Sequence, residues 1–388
     1  ARAADNWPQF RGPTGDGHSA ATGLPLTWSE TKNVRWKTPL HGRGWSSPVV
    51  WGDQIWLTTA REDGTQMFAV CVAAASGNIL HDIKLLDVKK PRFCHPLNSY
   101  ASPTPILDGD RVYVHFGTLG TAALSRKGEI LWTNQELRYE HGHGPGGSPA
   151  LAGALLVISC DGTDRQYIVA LDKNSGEIRW RKDRPAGAMA YTTPLVIETD
   201  GREQVISAGG DQAVSYDPRT GEALWWIGYD GFSLITRPVF GHGLVYLTSG
   251  YNRAILLAVR PDGRGDVSGS HVAWRLDRGA PNTPSPLLVG DEIYVVSDRG
   301  IASCLDARSG KLHWRQRLGG GFSASPVYAD GRIYFLNESG ETSVIKPGTS
   351  FELLARNQIS GRTLASIAVA DGAIFLRTAT HLYRIEQR

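Results

Sequence analysis

Cysteine and methionine are scarce in this chain, with four cysteines (Cys71, Cys94, Cys160 and Cys304) and two methionines among 388 residues. The cysteines lie far apart and form no C-x-x-C pair, so neither a dense disulfide framework nor a thiol redox motif is written here. No apolar run approaches the ~20 residues of a membrane-spanning helix. A basic block is missing too, and the formal net charge is only +3, which argues against nucleic acid or an anionic membrane as partner. Linkers are equally absent: the 45 glycines and 21 prolines are scattered along the chain, as frequent turns require. What is there, 41% hydrophobic and 20% charged residues, suits a globular protein with an ample core. The opening "ARAAD" sets Ala1, Ala3 and Ala4 where a signal peptidase prefers small side chains, so the expectation is a periplasmic or secreted protein.

Self-similarity is the strongest signal. "SSPVVWGDQIWLT" at Ser46 recurs as "PTPILDGDRVYVH", "GSPALAGALLVIS", "TTPLVIETDGREQVIS", "TRPVFGHGLVYLT", "PSPLLVGDEIYVV" and "ASPVYADGRIYFL". An eighth copy, "ASIAVADGAIFLR", has Ile367 in place of the proline. The aligned positions, Pro48, Pro105, Pro149, Pro194, Pro238, Pro286, Pro326 and Ile367, are 57, 44, 45, 44, 48, 40 and 41 residues apart. Within each copy an apolar run, a tight turn and an alternating run spell a hairpin. A third strand and a signature turn follow, as in "LDKNSGEIRW", "YDPRTGEALW" and "LDARSGKLHW". Asp172, Asp217 and Asp306 can accept backbone bonds across that turn, and Gly176, Gly221 and Gly310 can supply positive φ. Four strands per copy of about 45 residues is the grammar of a propeller blade.

The fold class predicted is therefore all-β: an eight-bladed β-propeller of four-stranded antiparallel blades. Trp36, Trp132, Trp180, Trp225, Trp274 and Trp314 share one register and are expected to fill the wedges between blades. The last copy stops after three strands at "HLYRIEQR", whereas "TKNVRWKTPL" has an outer-strand tryptophan and no strands before it. Residues near Asn33 to Thr38 are thus expected to complete the eighth blade, closing the ring. The division predicted is an extension over 1–27, packing on the propeller, and a single propeller over 28–388.

The "L-D-x-x-[ST]-G-x-x-x-W" turns and eight copies resemble the PQQ-like β-propeller repeat family, from Trp28 to Arg388. That family includes quinoprotein alcohol dehydrogenases and the assembly lipoprotein BamB. The opening "WPQFRGPTGDG" is similar to secreted members from planctomycete-type bacteria. The dehydrogenase branch implies adjacent cysteines above a quinone, and none are adjacent here, so PQQ is disfavoured as a cofactor. Cys71 and Cys304 stand where sister blades have Ala170 and Ser215, which reads as core. The BamB branch implies a lipidated N-terminal cysteine, which this stretch does not show.

In such a topology, the loops entering each first strand and those joining strands two and three open on one face. They would bring Trp45, Asn98, Tyr100, His141, His143, Asp161, Asp164, Tyr191, Asp211, Arg237, Tyr251, Asn252, Asn282, Asp298 and Phe322 to a funnel mouth. In extended backbone His141 and His143 would share a side. A hydrogen-bonded loop role, a general acid/base role, and divalent-metal ligation with His95, Cys94 or Asp161 all remain open for them. Arg237 stands where most blades carry a small hydroxyl residue. It would either hold an anionic group or pair with Asp211 or Asp298. The aromatics suit either stacking or blade packing.

Two function classes follow. One is an exported, non-catalytic propeller that binds a small molecule, a polysaccharide or a cell-envelope protein through the polar funnel, as a monomer and without a cofactor. There Trp45, Asn98, Asp161, Asp211, Tyr251, Asn252, Asn282, Asp298 and Phe322 would bind. The alternative is a polysaccharide lyase-like enzyme, in which Arg237 holds a uronate. In that enzyme His141 or His143 takes the proton, and Tyr100 or Tyr191 assists the leaving oxygen. Convergence of imidazole, hydroxyl and guanidinium on one void separates the two.

Overall fold

The computed structural model describes residues 5–185, 187–251 and 253–387. Its strands form eight separate sheets with almost no helix. In the first blade Val49–Trp51, Gln54–Ala60, Gln66–Ala73 and Ile79–Asp87 pair in sequence order, all antiparallel. The same order recurs in each blade, so the structure is the eight-bladed propeller that the repeats predict. The fourth blade gains a fifth strand, Gly265–Asp266. An insertion in the fifth repeat lays it parallel to Trp225 and Trp226.

The eighth blade is completed across the termini. Val34–Pro39 pairs antiparallel with His381–Glu386, from Val34 opposite Ile385 to Pro39 opposite His381. The strand boundary lies one residue further on than the sequence suggests.

The signature turn works between blades as well as within one. Gly176, Gly221 and Gly310 all take positive φ, and their N–H groups donate to the carbonyls of Asp172, Asp217 and Asp306 at 2.8 Å. A Cβ on these glycines would strike Trp132, Trp180 and Trp274 of the preceding blades. Trp36 meets Gly77 of the first blade in the same way. The indole N–H groups of Trp36, Trp132, Trp180, Trp274 and Trp314 donate to carbonyls of the next blade at 2.8 to 3.2 Å. Glycine and tryptophan in one motif are therefore selected by two different neighbours. Trp225 differs: beside the insertion its indole donates to Gln204 Oε1 of its own blade. Opposite the tryptophans stand small residues, Ala123, Ala170, Ser215, Ala258 and Cys304, with Cys71 opposite His81 in the first blade.

Residues 5–19 run against the inner strand edges at the end of the channel opposite the entering loops, and residues 24–28 continue outward over the seventh blade, where Trp28 N donates to Asn357 Oδ1 of its outer strand. Trp7 pairs with Val50 of the first blade and His18 with Tyr328 of the seventh. Leu107 of the second blade donates to Pro8 O, and Arg11 Nη2 donates to Pro286 O before the sixth. Trp7 is fully buried. The channel is thus stopped by the chain's own leading segment.

Removing the chain through Leu40 is expected to abolish cooperative thermal unfolding, because it deletes a paired strand and Trp36 together. A sharp transition like that of the full chain would contradict the closure. Trp274→Ala should cost about 3–5 kcal/mol in denaturant unfolding, as a wedge tryptophan with its hydrogen bond removed.

Candidate functional site

The funnel is built from the residue before each aligned proline. Ser47 N donates to Thr104 Oγ1, Thr104 N to Ser148 Oγ, and Ser148 N to Thr193 Oγ1. On the far side Arg237 N donates to Ser285 Oγ, Ser285 N to Ser325 Oγ, Ser325 N to Ser366 Oγ, and Ser366 N back to Ser47 Oγ. All seven bonds measure 2.9 to 3.1 Å. The belt is broken only between Thr193 and Arg237, where the repeat supplies a guanidinium in place of a hydroxyl. Above the belt lies a cavity of about 510 Å³ that opens on the loop face, with Phe10 of the leading segment among its lining residues.

Many of the residues expected at the mouth line this cavity: Trp45, Asn98, His143, Tyr191, Tyr251, Asp298 and Phe322, with His95 beside them. The insertion that makes the first repeat long is stitched to the His141–His143 loop. His95 N and Asn98 Nδ2 both donate to His143 O, at 3.1 and 2.9 Å. The His95 and His143 rings meet edge-on at 5.5 Å, and His143 stacks on Tyr191 at 6.0 Å. The Tyr191 hydroxyl accepts from His143 N and donates to His141 O. Its hydrogen-bonding is therefore spent on the loop.

The two histidines do not share a side. The chain turns at Gly142, φ 53°, so His143 faces the cavity while His141 is 1% exposed, packed edge-on against Tyr139. Burial lowers the His141 imidazole to a pKa of about 4 and keeps it neutral. Among the described residues no three His, Cys, Asp or Glu side chains form a metal-holding group. The paired thiols of the quinone branch find no counterpart either: Cys94, the cysteine on the funnel side, points at the carbonyls of His95 and His143.

Other expected residues are placed elsewhere. Arg237 is 3% exposed and lies beneath the funnel, where its Nη1 donates to Phe10 O at 2.8 Å and Gly15 packs over the guanidinium. It pairs with neither Asp211 nor Asp298, because the leading segment reaches it first. Asp161 is fully buried, 3.4 Å from Arg184 Nε, and burial pushes its carboxyl up to about 6 against the pull of Arg184. Asp211 is exposed beside Gly187, and Asp164 braces the histidine loop by accepting from Glu140 N. Tyr100 donates to Arg92 O and lines a smaller cavity of about 80 Å³ beside Cys94. Asn282 contributes its backbone N–H to Asp298. Asn252 lies outside the described residues, as do Ala1, Ala3 and Ala4.

The structure adds residues that the sequence reading passed over. Phe10, Leu97, Glu338 and Arg362 all line the cavity, with Glu338 held by Ser323 Oγ at 2.7 Å and by Arg362 at 3.4 Å. The belt hydroxyls were visible as the Ser or Thr before the proline in copy after copy. Nothing local marked Phe10, since only the return of the leading segment brings it there.

A family model described as outer membrane protein assembly factor BamB matches residues 20–135, 120–225 and 268–374, most of the chain. The chain belongs to this PQQ-like, BamB-type propeller family. BamB of Yersinia pestis is 21% identical over 230 residues, 56% of this chain and 56% of the relative. The chain therefore spans little more than half the length of that curated relative. The crystal structure of BamB from Moraxella catarrhalis superposes with a TM-score of 0.64 at 14% identity, covering 91% of this chain and 99% of that one. The quinohemoprotein alcohol dehydrogenase from Comamonas testosteroni gives 0.50 at 13% identity, covering 99% and 81%. At these identities the likeness is one of fold.

A histidine kept neutral by burial carries a pH signature. His141 favours folding above its unfolded pKa near 6.5, and that contribution is lost as pH falls toward about 4. About 3 kcal/mol of acid destabilisation is expected from it. Denaturant titrations between pH 7 and 4 should show His141→Leu with a correspondingly shallower loss than wild type.

Proposed function

We propose that this chain is a non-catalytic binding propeller of the cell envelope that holds a segment of a partner polypeptide in its funnel. The observation that carries the reading is a blind cavity of about 510 Å³, within the range of ligand sites, whose aromatic walls are fixed by loop-to-loop hydrogen bonds. The three most exposed large apolar side chains of the described residues are Phe93, Leu97 and Tyr251, at 65%, 56% and 54%. Leu97 and Tyr251 line the cavity, and Phe93 sits on the same insertion as Leu97. Apolar surface left open around a pocket suits a protein partner. The family description, given to assembly factors of outer-membrane proteins, supports the same class and an exported location. The reading needs no cofactor, and the seam is intramolecular, so one chain suffices. The lyase alternative has less support, because imidazole, free tyrosine hydroxyl and Arg237 do not meet at one void.

A photo-reactive benzoylphenylalanine in place of Tyr251 should form a covalent adduct with a cell-envelope protein in intact cells. The same group in place of Trp226, on the fourth strand of the fourth blade and outside the cavity lining, should not. No adduct from position 251, or equal adducts from both, would remove the reading. A carbohydrate adduct would replace the polypeptide by a glycan.

A further inference from the structure

The belt hydroxyls are used on one side only. Each of the seven accepts a backbone N–H, and among the described residues none donates to a protein acceptor. Six of them, Ser47, Thr104, Ser148, Thr193, Ser325 and Ser366, line the base of the cavity. A ring of O–H groups with their hydrogens unspent complements a group that only accepts, and an ionised oxyanion is such a group.

Charge points the same way. Arg11, Arg237 and Arg377 are buried behind the belt, outside the cavity lining, each at most 3% exposed. Their partners are neutral oxygens: Asp16 O and Pro286 O for Arg11, Phe10 O for Arg237, and Ser46 and Thr58 oxygens for Arg377. Each also keeps an N–H without a protein acceptor among the described residues. The Asp16 carboxylate acts on Arg11 and Arg237 from a distance, and among the described residues Arg377 makes no ion pair. The acids nearer the rim are engaged elsewhere, Glu338 by Ser323 and Arg362, and Asp298 by Asn282 N. Buried cations that outnumber their counter-charges favour an anion nearby. With Phe10 and the leading segment stopping the channel, that anion would be shielded from bulk water, where fixed donors act most strongly.

We propose that the base of the funnel is an oxyanion subsite, in which the hydroxyl belt receives a carboxylate of the bound segment. The identity of the carrier rests on the polypeptide reading; the subsite itself does not.

Inorganic sulfate is the probe. Calorimetry and thermal melts of the full chain at millimolar sodium sulfate, below the concentrations at which sulfate stabilises proteins generally by exclusion, against sodium chloride at equal ionic strength, should show saturable stabilisation specific to sulfate. Arg237→Gln should weaken sulfate binding about tenfold or more, whereas Arg237→Lys, which keeps the charge, should stay within about threefold. If the glutamine variant misfolds, selenate soaked into wild-type crystals gives a second readout, an anomalous peak within the belt. No sulfate-specific effect in wild type, a folded Arg237→Gln variant that binds like wild type, or peaks showing an adventitious ion only would each overturn the subsite. Sulfate binding without a polypeptide adduct would keep the subsite and change its carrier. An adduct without sulfate binding would remove the subsite and leave the polypeptide reading standing.

Discussion

The seam between Val34–Pro39 and His381–Glu386 decides whether the remaining inter-blade contacts can close on themselves. It joins the ring at three radii at once. Near the axis Ser366 N reaches Ser47 Oγ; further out Arg377 crosses to the oxygens of Ser46 and Thr58; at the rim Trp36 covers Gly77 and donates to Ala74 O. Each of these spans nearly the whole chain, except the rim contact, which exists only because the leading strand belongs to the last blade. Pairing so distant in sequence carries a high entropic cost before it gains anything. Repeated local hairpins can form first, but the first and eighth blades keep open edges until the termini meet.

The belt shows how a repeat can be broken for a purpose. Seven blades place a hydroxyl before the inner strand, and each accepts the N–H of its neighbour. The fifth blade places Arg237 there, which leaves Thr193 without its belt partner and sends a guanidinium beneath the funnel. That side chain takes the carbonyl of Phe10, in a segment whose Gly15 must pack directly on the guanidinium. The break in the ring and the stopper in the channel are one device. A hydroxyl at 237 would restore the belt and lose the anchor.

The fold was legible because its rules are local. Strand alternation, the Asp and Gly of each turn, and the spacing of prolines and tryptophans all act within about 45 residues, and the missing fourth strand of the last copy implied the closure. The site was legible only where loops alone decide it. Trp45, His143, Tyr191 and Phe322 reached the cavity because the topology sends their loops there. His141 departed because one residue, Gly142, turns the chain between two histidines that an extended segment would align. Arg237 and Asp161 departed because their partners, Phe10 and Arg184, are met only in three dimensions. Periodicity reports which face a residue occupies; it does not report which neighbour has already claimed it.

That distinction bears on what the funnel can do. Polar atoms along one wall, the Tyr191 hydroxyl, the Asn98 amide and the His143 backbone, are committed to holding the long insertion against the histidine loop. Groups committed in this way are poor proton shuttles, since moving them would unstitch the wall. They are good scaffolding, because a wall that is already ordered adds little entropic cost when a ligand arrives. The belt at the base combines fixed position with unspent hydrogen-bonding capacity. Recognition by such a cup falls into two layers: apolar and aromatic contact at the mouth, and polar discrimination at the floor, where a wrong group would leave buried donors unmet.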